Sequence, residues 1–310
     1  MERLYITPVD KQHWLSMRTE AITSTDVGAL FGLSPYLTKF ELWHNKKSGI
    51  ITEIEETERM GWGNKLERAI GESIIEEQLW VGKQMKDYVV LTNLKPGLPD
   101  YRMGTSFDFF ITVDEIPAIL EIKNVDQFAF QRGWIGEGDN TEAPAHIELQ
   151  VQYQMLVSGR KLAYIGALIG GNHLVLIKRE ADEAIHTRII EEVAAFWKTI
   201  EDNEAPVPDF AKDAAFIQSL YKYAEPGKII DADDRIITIA ETYKKTSDMI
   251  KELEIEKDKQ KAMILELIQD AEKVKGEMFT ISAGVVGETN ISYTRKSYRN
   301  FRITWRGEKT

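Results

Sequence analysis

Apolar residues along this chain recur with two periods, about 3.6 and 2, and stretches of each alternate up to residue 200. The spacing predicts a short helix over 23–33, capped by Thr23, Ser24 or Thr25, and a second over 38–47 ending near Gly49. Residues 53–58 are acidic and read as exposed. A longer helix is predicted over 62–80, with Leu66, Ile70, Ile74 and Ile75 on one side and Glu67 beside that stripe. Tyr88–Leu91 reads as a strand. Two more strands, 106–113 and 118–123, are joined across residues 114–117, and so short a connection predicts an antiparallel hairpin. After a polar loop at 134–145, residues 146–157 read as a helix with Ile147, Val151, Met155 and Leu156 apolar and Gln150, Gln152 and Gln154 interleaved. Strands at 162–169 and 174–179 flank the turn Gly170-Gly171-Asn172. An amphipathic helix over 183–200 carries Ile185, Ile189, Val193 and Trp197 in register. This order predicts an α/β layered core, a mixed sheet flanked by helices.

The pattern changes after residue 205. Residues 204–209 read as a linker or arm. Residues 231–275 hold no Gly or Pro and approach a heptad through Ile236, Ile239, Tyr243, Ile250, Leu253, Ile264, Leu267 and Ala271, interrupted at Lys257 and Gln260. They predict one long helix or a helical hairpin, packed on the core or a partner and ended by Gly276. Strands are expected at 279–281 and 291–305 around a turn at 284–288. The chain therefore divides into a core, 1–205, and an extension, 206–310.

Composition narrows the class. The 310 residues are 43% hydrophobic and 29% charged, with no cysteine, which excludes disulfides, thiolate zinc sites and cysteine nucleophiles. No stretch approaches the ~20 apolar residues of a membrane span, and Met1-Glu2-Arg3-Leu4-Tyr5 lacks the layout of a secretion signal. A cytoplasmic location is expected. The net charge of −11 opposes nucleic-acid binding unless charge is segregated. It is segregated: residues 289–310 carry Arg295, Lys296, Arg299, Arg302, Arg306 and Lys309 against Glu308, a net of +5. Tyr293, Tyr298, Phe301 and Trp305 alternate with arginines there. They could grip DNA by stacking and charge; the commoner role for such a pattern is an edge strand with one face on the core.

Candidate chemistry lies in three short stretches: 63–67 ending in Glu67, Ser106-Phe107-Asp108, and Leu120-Glu121-Ile122-Lys123. In a strand Glu121 and Lys123 share a face. They follow the apolar run Ala118-Ile119-Leu120, where opposite charges are expensive unless paired or metal-bound. The predicted hairpin brings Asp108 near Glu121. Three carboxylates and a lysine suit Mg²⁺-dependent phosphodiester hydrolysis, in which hard oxygen ligands hold one or two ions that activate water. Asp108, Glu121 and the backbone carbonyl of Ile122 are the natural ligands. Glu67 could hold a second ion, and Lys123 could orient water or offset developing charge. Each piece alone is weak; the ordered set is specific. None of His13, His44, His146, His173 and His186 forms a pair at metal-binding spacing, and neither a phosphate-binding loop nor a G-x-S-x-G elbow is present.

The ordered elements Trp14-x-x-x-Arg18, Ile22-Thr23-Ser24-Thr25-Asp26-Val27, the Glu67 helix, Asp108, Glu121-Ile122-Lys123 and Gln150-Val151-Gln152-Tyr153 resemble the lambda-type, or YqaJ-like, phage recombination exonucleases of the PD-(D/E)XK nuclease superfamily. The resemblance covers about residues 10–200. It implies a restriction-endonuclease-like core. It also implies a Mg²⁺- or Mn²⁺-dependent exonuclease, with two ions per site, that digests duplex DNA ends 5′→3′ and leaves a 3′ single-stranded tail. Glu67, Asp108 and Glu121 would be metal ligands and Lys123 the catalytic lysine. Arg18, Thr25, Ser106 and Gln152 would hold the 5′-terminal phosphate, with Asp100 a secondary acidic position. A guanidinium fork at Arg18 suits phosphate independently, and Thr25 at a helix start would favour anions or serve as a plain N-cap. By resemblance the partners are DNA ends, a single-strand annealing protein and further copies in a ring trimer, in a bacterial cell carrying a phage or prophage. Rival readings are a restriction-type or structure-specific endonuclease of the same fold, and a non-catalytic DNA-binding scaffold.

Overall fold

A computed structural model of the protein describes residues 1–50, 56–93, 100–136, 141–294 and 298–305. Two units divide the chain, Met1–Phe216 and Ile217–Thr310. In chain order the first contains β1 (Glu2–Ile6), α1 (Lys11–Glu20), α2 (Val27–Leu30), α3 (Lys39–Ser48), α4 (Glu58–Glu77), β2 (Val81–Gln84), β3 (Tyr88–Thr92), β4 (Met103–Thr105), β5 (Phe109–Val113), β6 (Ile116–Val125), α5 (Gln127–Gly133), α6 (Ala145–Ser158), β7 (Leu162–Ile169), β8 (His173–Glu180) and α7 (Glu183–Glu201). α8 (Ala214–Leu220) spans the division.

The expected hairpin forms as β5 and β6, antiparallel, with Phe109 opposite Leu120 and Val113 opposite Ile116. Asp114 and Glu115 close it with φ values of 49° and 68°, the left-handed pair that a two-residue turn requires. β6 then pairs in parallel with β7, Glu121 opposite Ile165 and Lys123 opposite Ala167. Parallel neighbours need a crossover, and α6 lies in the connection. The five-stranded sheet has the order β2-β5-β6-β7-β8. A smaller antiparallel sheet, β1-β3-β4, holds the N-terminus.

α6 is enclosed: every residue from Leu149 to Ser158 is buried. A helix covered all round belongs inside the protein, so its glutamines are buried polar groups that need partners. Val151, Tyr153 and Met155 join Ile189, Val193 and Phe196 of α7 in the main core. On the other face of the sheet, Ile70 and Ile74 of α4 pack with Phe109, Leu120 and Ile122. Gly71 permits that approach, since a Cβ there would sit 2.2 Å from the Phe109 ring.

Several expectations need correction. The 23–33 helix shrinks to the single turn α2, preceded by a turn in which Asp26 N–H donates to the Thr23 carbonyl at 3.0 Å. Ile22 is drawn instead into a bridge with Met103 beside β4, and Thr25 is not a helix cap. Gly276 does not end the long helix: α9 (Asp234–Ile268) stops at Gln269, whose φ is 50°. β9 (Lys273–Lys275) and β10 (Thr280–Ser282) follow as a hairpin closed through Gly276. No strand forms in 291–294 or 298–305, because alternation supplies a period but no neighbouring edge to pair with. No residue of α9 is buried. Acidic residues 53–55, loop residues 137–140 and Arg295, Lys296, Arg306 and Lys309 lie outside the described residues. Segment 206–216 belongs to the first unit: Asp213 is buried and accepts from Thr38, and Phe216 meets Phe40 edge-on.

Candidate active site

The second half of β6 carries the centre of the site. Ala118, Ile119 and Leu120 are fully buried, and Glu121 continues the run at 3% exposure. A buried carboxylate must be paired and hydrogen-bonded, and three donors meet this one. Lys123 Nζ and Gln150 Nε2 each donate to Oε1 at 2.5 Å, and Gln154 Nε2 donates to Oε2 at 2.7 Å. Lys123 also donates to Gln150 Oε1 at 3.2 Å. Gln154 Oε1 is buried without a hydrogen-bond partner among the described residues.

Asp108, just before β5, accepts from the Ile122 backbone N–H at 2.7 Å. Its carboxyl group is held well above the ordinary range, first by burial, then by the charges of Glu121 and Glu67, against opposition from Lys123. Glu67 reaches in from α4, half-buried, and accepts from Gln84 Nε2 at 3.2 Å. Burial raises its pKa, and Glu121 raises it further. Burial works against the Lys123 ammonium, but Glu121 and Asp108 outweigh it and push its pKa up. Three carboxylates and one lysine from three segments therefore share one electrostatic neighbourhood. Mutual repulsion of this kind keeps part of a carboxylate set protonated until a cation arrives. Among the described residues, no three acidic or histidine side chains already converge as a metal cage.

A second constellation lies on α1, the 21–26 turn and the end of β4. Arg18 Nη2 donates to Thr25 Oγ1 at 3.0 Å, and the guanidinium lies 4.8 Å from the Trp14 ring centre. Trp14 Nε1 donates to Ser106 Oγ at 2.9 Å. Arg18, Thr25 and Ser106 are thus joined through one another and Trp14, with Thr25 open to solvent. The link between the two constellations is Gln154, whose Nε2 also reaches the Ser106 carbonyl at 3.4 Å.

Two expected members stand elsewhere. Gln152 is turned away: its Nε2 donates to the Glu180 carbonyl at 2.9 Å, and its Oε1 accepts from Asp182 N–H at 3.0 Å. Two residues along a helix is about 200° of rotation, so Gln150 and Gln154 face β6 while Gln152 braces the turn into α7. Asp100 is exposed, accepts from the Tyr101 backbone N–H at 2.9 Å and acts on Arg102. Conversely, Gln154 belongs to the site without standing out in the sequence, where its one signal is the four-residue spacing from Gln150. His146 belongs beside the site too, although it forms no motif. Burial lowers its pKa, and Lys123 lowers it further.

The mixed sheet, the helices on its two faces and the acid–lysine strand make a mixed α/β fold. Residues 13–161 match the YqaJ-like viral recombinase domain. The chain is 25% identical over 269 residues to the uncharacterized protein YqaJ of Bacillus subtilis (strain 168), covering 85% of this chain and 80% of that one. Among solved structures it is similar to an alkaline exonuclease, LHK-Exo, from Laribacter hongkongensis (19% identity, TM-score 0.45, 67% of this chain and 99% of that one). A second is a phage related exonuclease from Haemophilus somnus 129PT (13% identity, TM-score 0.37, 59% of this chain and 94% of that one). Likenesses this distant carry no residue roles.

Proposed function

We propose that the protein is a divalent-metal-dependent exonuclease that enters linear duplex DNA at a 5′-phosphorylated end, degrades that strand 5′→3′ and leaves a 3′ single-stranded tail. The observation that supports this most is the shared electrostatic neighbourhood of Glu67, Asp108, Glu121 and Lys123 around the buried strand β6. The donor chemistry fits a hard cation such as Mg²⁺ or Mn²⁺: carboxylate oxygens, the Ile122 carbonyl and the unpartnered amide oxygen of Gln154. One or two such ions would supply an acidified water and charge compensation at the phosphorane-like transition state. Lys123 holds its proton throughout, orients the water and offsets developing negative charge. Gln150 and Gln154 hold the Glu121 carboxylate in place. Arg18, Thr25 and Ser106 take the terminal phosphate, with Trp14 setting the guanidinium plane. Gln152 is omitted from that pocket because both ends of its amide are engaged elsewhere. In this reading a ring of copies and a single-strand annealing protein complete the recombination machinery.

Digestion of an end-labelled linear duplex and a closed circular duplex, each with and without chelator and with both strand polarities scored, tests the proposal. The linear form should be shortened from its 5′ end only, and chelator should stop the reaction. Cleavage of the closed circle would replace the exonuclease with an endonuclease of the same fold. DNA binding without any hydrolysis would leave a scaffold.

A further inference from the structure

Beneath the proposed phosphate pocket lies a buried ion pair that the hydrolytic chemistry does not use. Lys46, on α3, has a side chain 7% exposed, and its partner Asp26 has one 11% exposed. Lys46 Nζ donates to the Arg18 carbonyl at 2.6 Å, the Ala21 carbonyl at 2.8 Å and Asp26 Oδ2 at 2.8 Å. Three acceptors match the three protons of an ammonium group. Two of them are carbonyls at the C-terminal end of α1, where helix carbonyls lack partners. Asp26 Oδ2 also accepts from Thr23 N–H at 3.0 Å, and Thr23 Oγ1 lies 3.0 Å from Thr25 Oγ1. Thr25 in turn accepts from the Arg18 guanidinium. The connections close a ring. Lys46 grips Arg18 by its backbone and, through Asp26, Thr23 and Thr25, reaches the same residue's side chain.

We propose that the Lys46–Asp26 pair is the positioning device of the 5′-phosphate receptor, fixing Arg18 and Thr25 in the one arrangement that distinguishes a phosphate end from a hydroxyl end. This inference rests on the exonuclease reading above. Lys46 is closed off from solvent and touches no substrate, so its part is to place other groups. A buried ion pair is a weak source of net stability compared with apolar residues of the same volume, and its better use is to select a single geometry. The pair sits where a geometry must be selected: the helix end that carries Arg18 and the turn that carries Thr25 share no strand pairing between them. α3 supplies the fixed point, with Leu42 and Trp43 buried in the main core.

The test compares matched duplexes ending in 5′-phosphate or 5′-hydroxyl. The wild-type protein should favour the phosphate end in kcat/KM. In Lys46→Met combined with Asp26→Asn, which leaves no lone buried charge, that preference should fall by about 100-fold, the scale of a displaced binding group. The loss should appear mainly in KM for the phosphate end. Thr23→Val keeps the ion pair but cuts its link to Thr25, and should lower the preference in the same direction. Thermal melting of each variant establishes that it is folded. A wild-type preference retained in Thr23→Val, or in the folded double variant, overturns the positioning role and leaves the exonuclease reading standing. Equal rates on both ends in the wild-type protein remove the pocket itself, and the positioning role with it.

Discussion

At the scale of single residues, two consequences follow from the acid cluster. Lys123→Ala should reduce hydrolysis about 10²–10³-fold, as expected for removal of one preorganised electrostatic group. Lys123→Ala also leaves the buried Glu121 carboxylate without its counter-ion, so the melting temperature in chelator should fall; undiminished hydrolysis by the folded variant would remove Lys123 from the chemistry. Asp108 makes the opposite case, of a residue that opposes folding. Its pKa is raised in the folded chain by burial and by Glu121 and Glu67, while in the unfolded chain it titrates near 3.9. Its contribution to stability is therefore full below that unfolded value and is lost as pH rises through the folded one. At neutral pH without metal its ionised form is destabilising. Asp108→Asn should abolish hydrolysis yet raise the melting temperature in chelator, and flatten the decline in stability with pH over that window. A lower melting temperature would mean that the carboxylate is compensated in the metal-free protein. Glu121 and Lys123 were legible in the sequence because a period of two after an apolar run can only place them together at a strand end. Gln154 and the Lys46–Asp26 pair were not. Which face of α6 turns to β6 is decided by packing, and Lys46 meets Asp26 only because α3 folds back on the 21–26 turn.

At the scale of elements, the long periodic segments appear where the pattern put them: α4, α6, α7 and the β5–β6 and β7–β8 hairpins. The short helix at 23–33 did not: residues 23–26 form a turn held by Asp26 and Thr23, which leaves only the single turn α2. Residues 291–305 failed as a strand for want of a partner edge. The placement of Glu67 depends on how closely α4 approaches the sheet, and Gly71 sets that distance one turn further along. Gly71→Ala would drive a Cβ to 2.2 Å from the Phe109 ring, and the obstacle is a fully buried aromatic. Overpacking of this type costs about 1–3 kcal/mol. Urea denaturation should show that loss with an unchanged slope, together with a reduced hydrolytic rate as Glu67 is pushed outward. Full stability in the variant would mean that α4 can slide, and that its distance from the sheet does not hold Glu67 in place.

At the scale of the whole molecule, charge and core are distributed unequally. Both buried apolar clusters draw their residues from between Ile22 and Ile200, and every side chain assigned to the two constellations lies before residue 155. The second unit brings none of these. It offers a 35-residue helix with no buried residue and, in the described part of its end, the exposed aromatics Tyr293, Tyr298 and Phe301 with Arg299 and Arg302. The expected edge strand is absent there; Phe301 meets Tyr243 of α9 edge-on and Arg299 donates to the Tyr221 carbonyl at 3.1 Å, and in the proposed exonuclease the alternating rings and cations would take up DNA by stacking and charge. This matters for a chain of net charge −11, which would otherwise repel the proposed DNA substrate. A chain ending at Phe216 should then fold and hydrolyse DNA with a kcat close to that of the full chain, but with a raised KM. Removing the six cations of residues 289–310 should also make the logarithmic dependence of binding on salt shallower by several units, about 0.9 for each phosphate no longer neutralised. Rates and binding measured across a salt series on both chains separate the alternatives. An unchanged salt slope would mean that the basic end never meets DNA, and a fall in kcat at saturating DNA would mean that the second unit completes the active site.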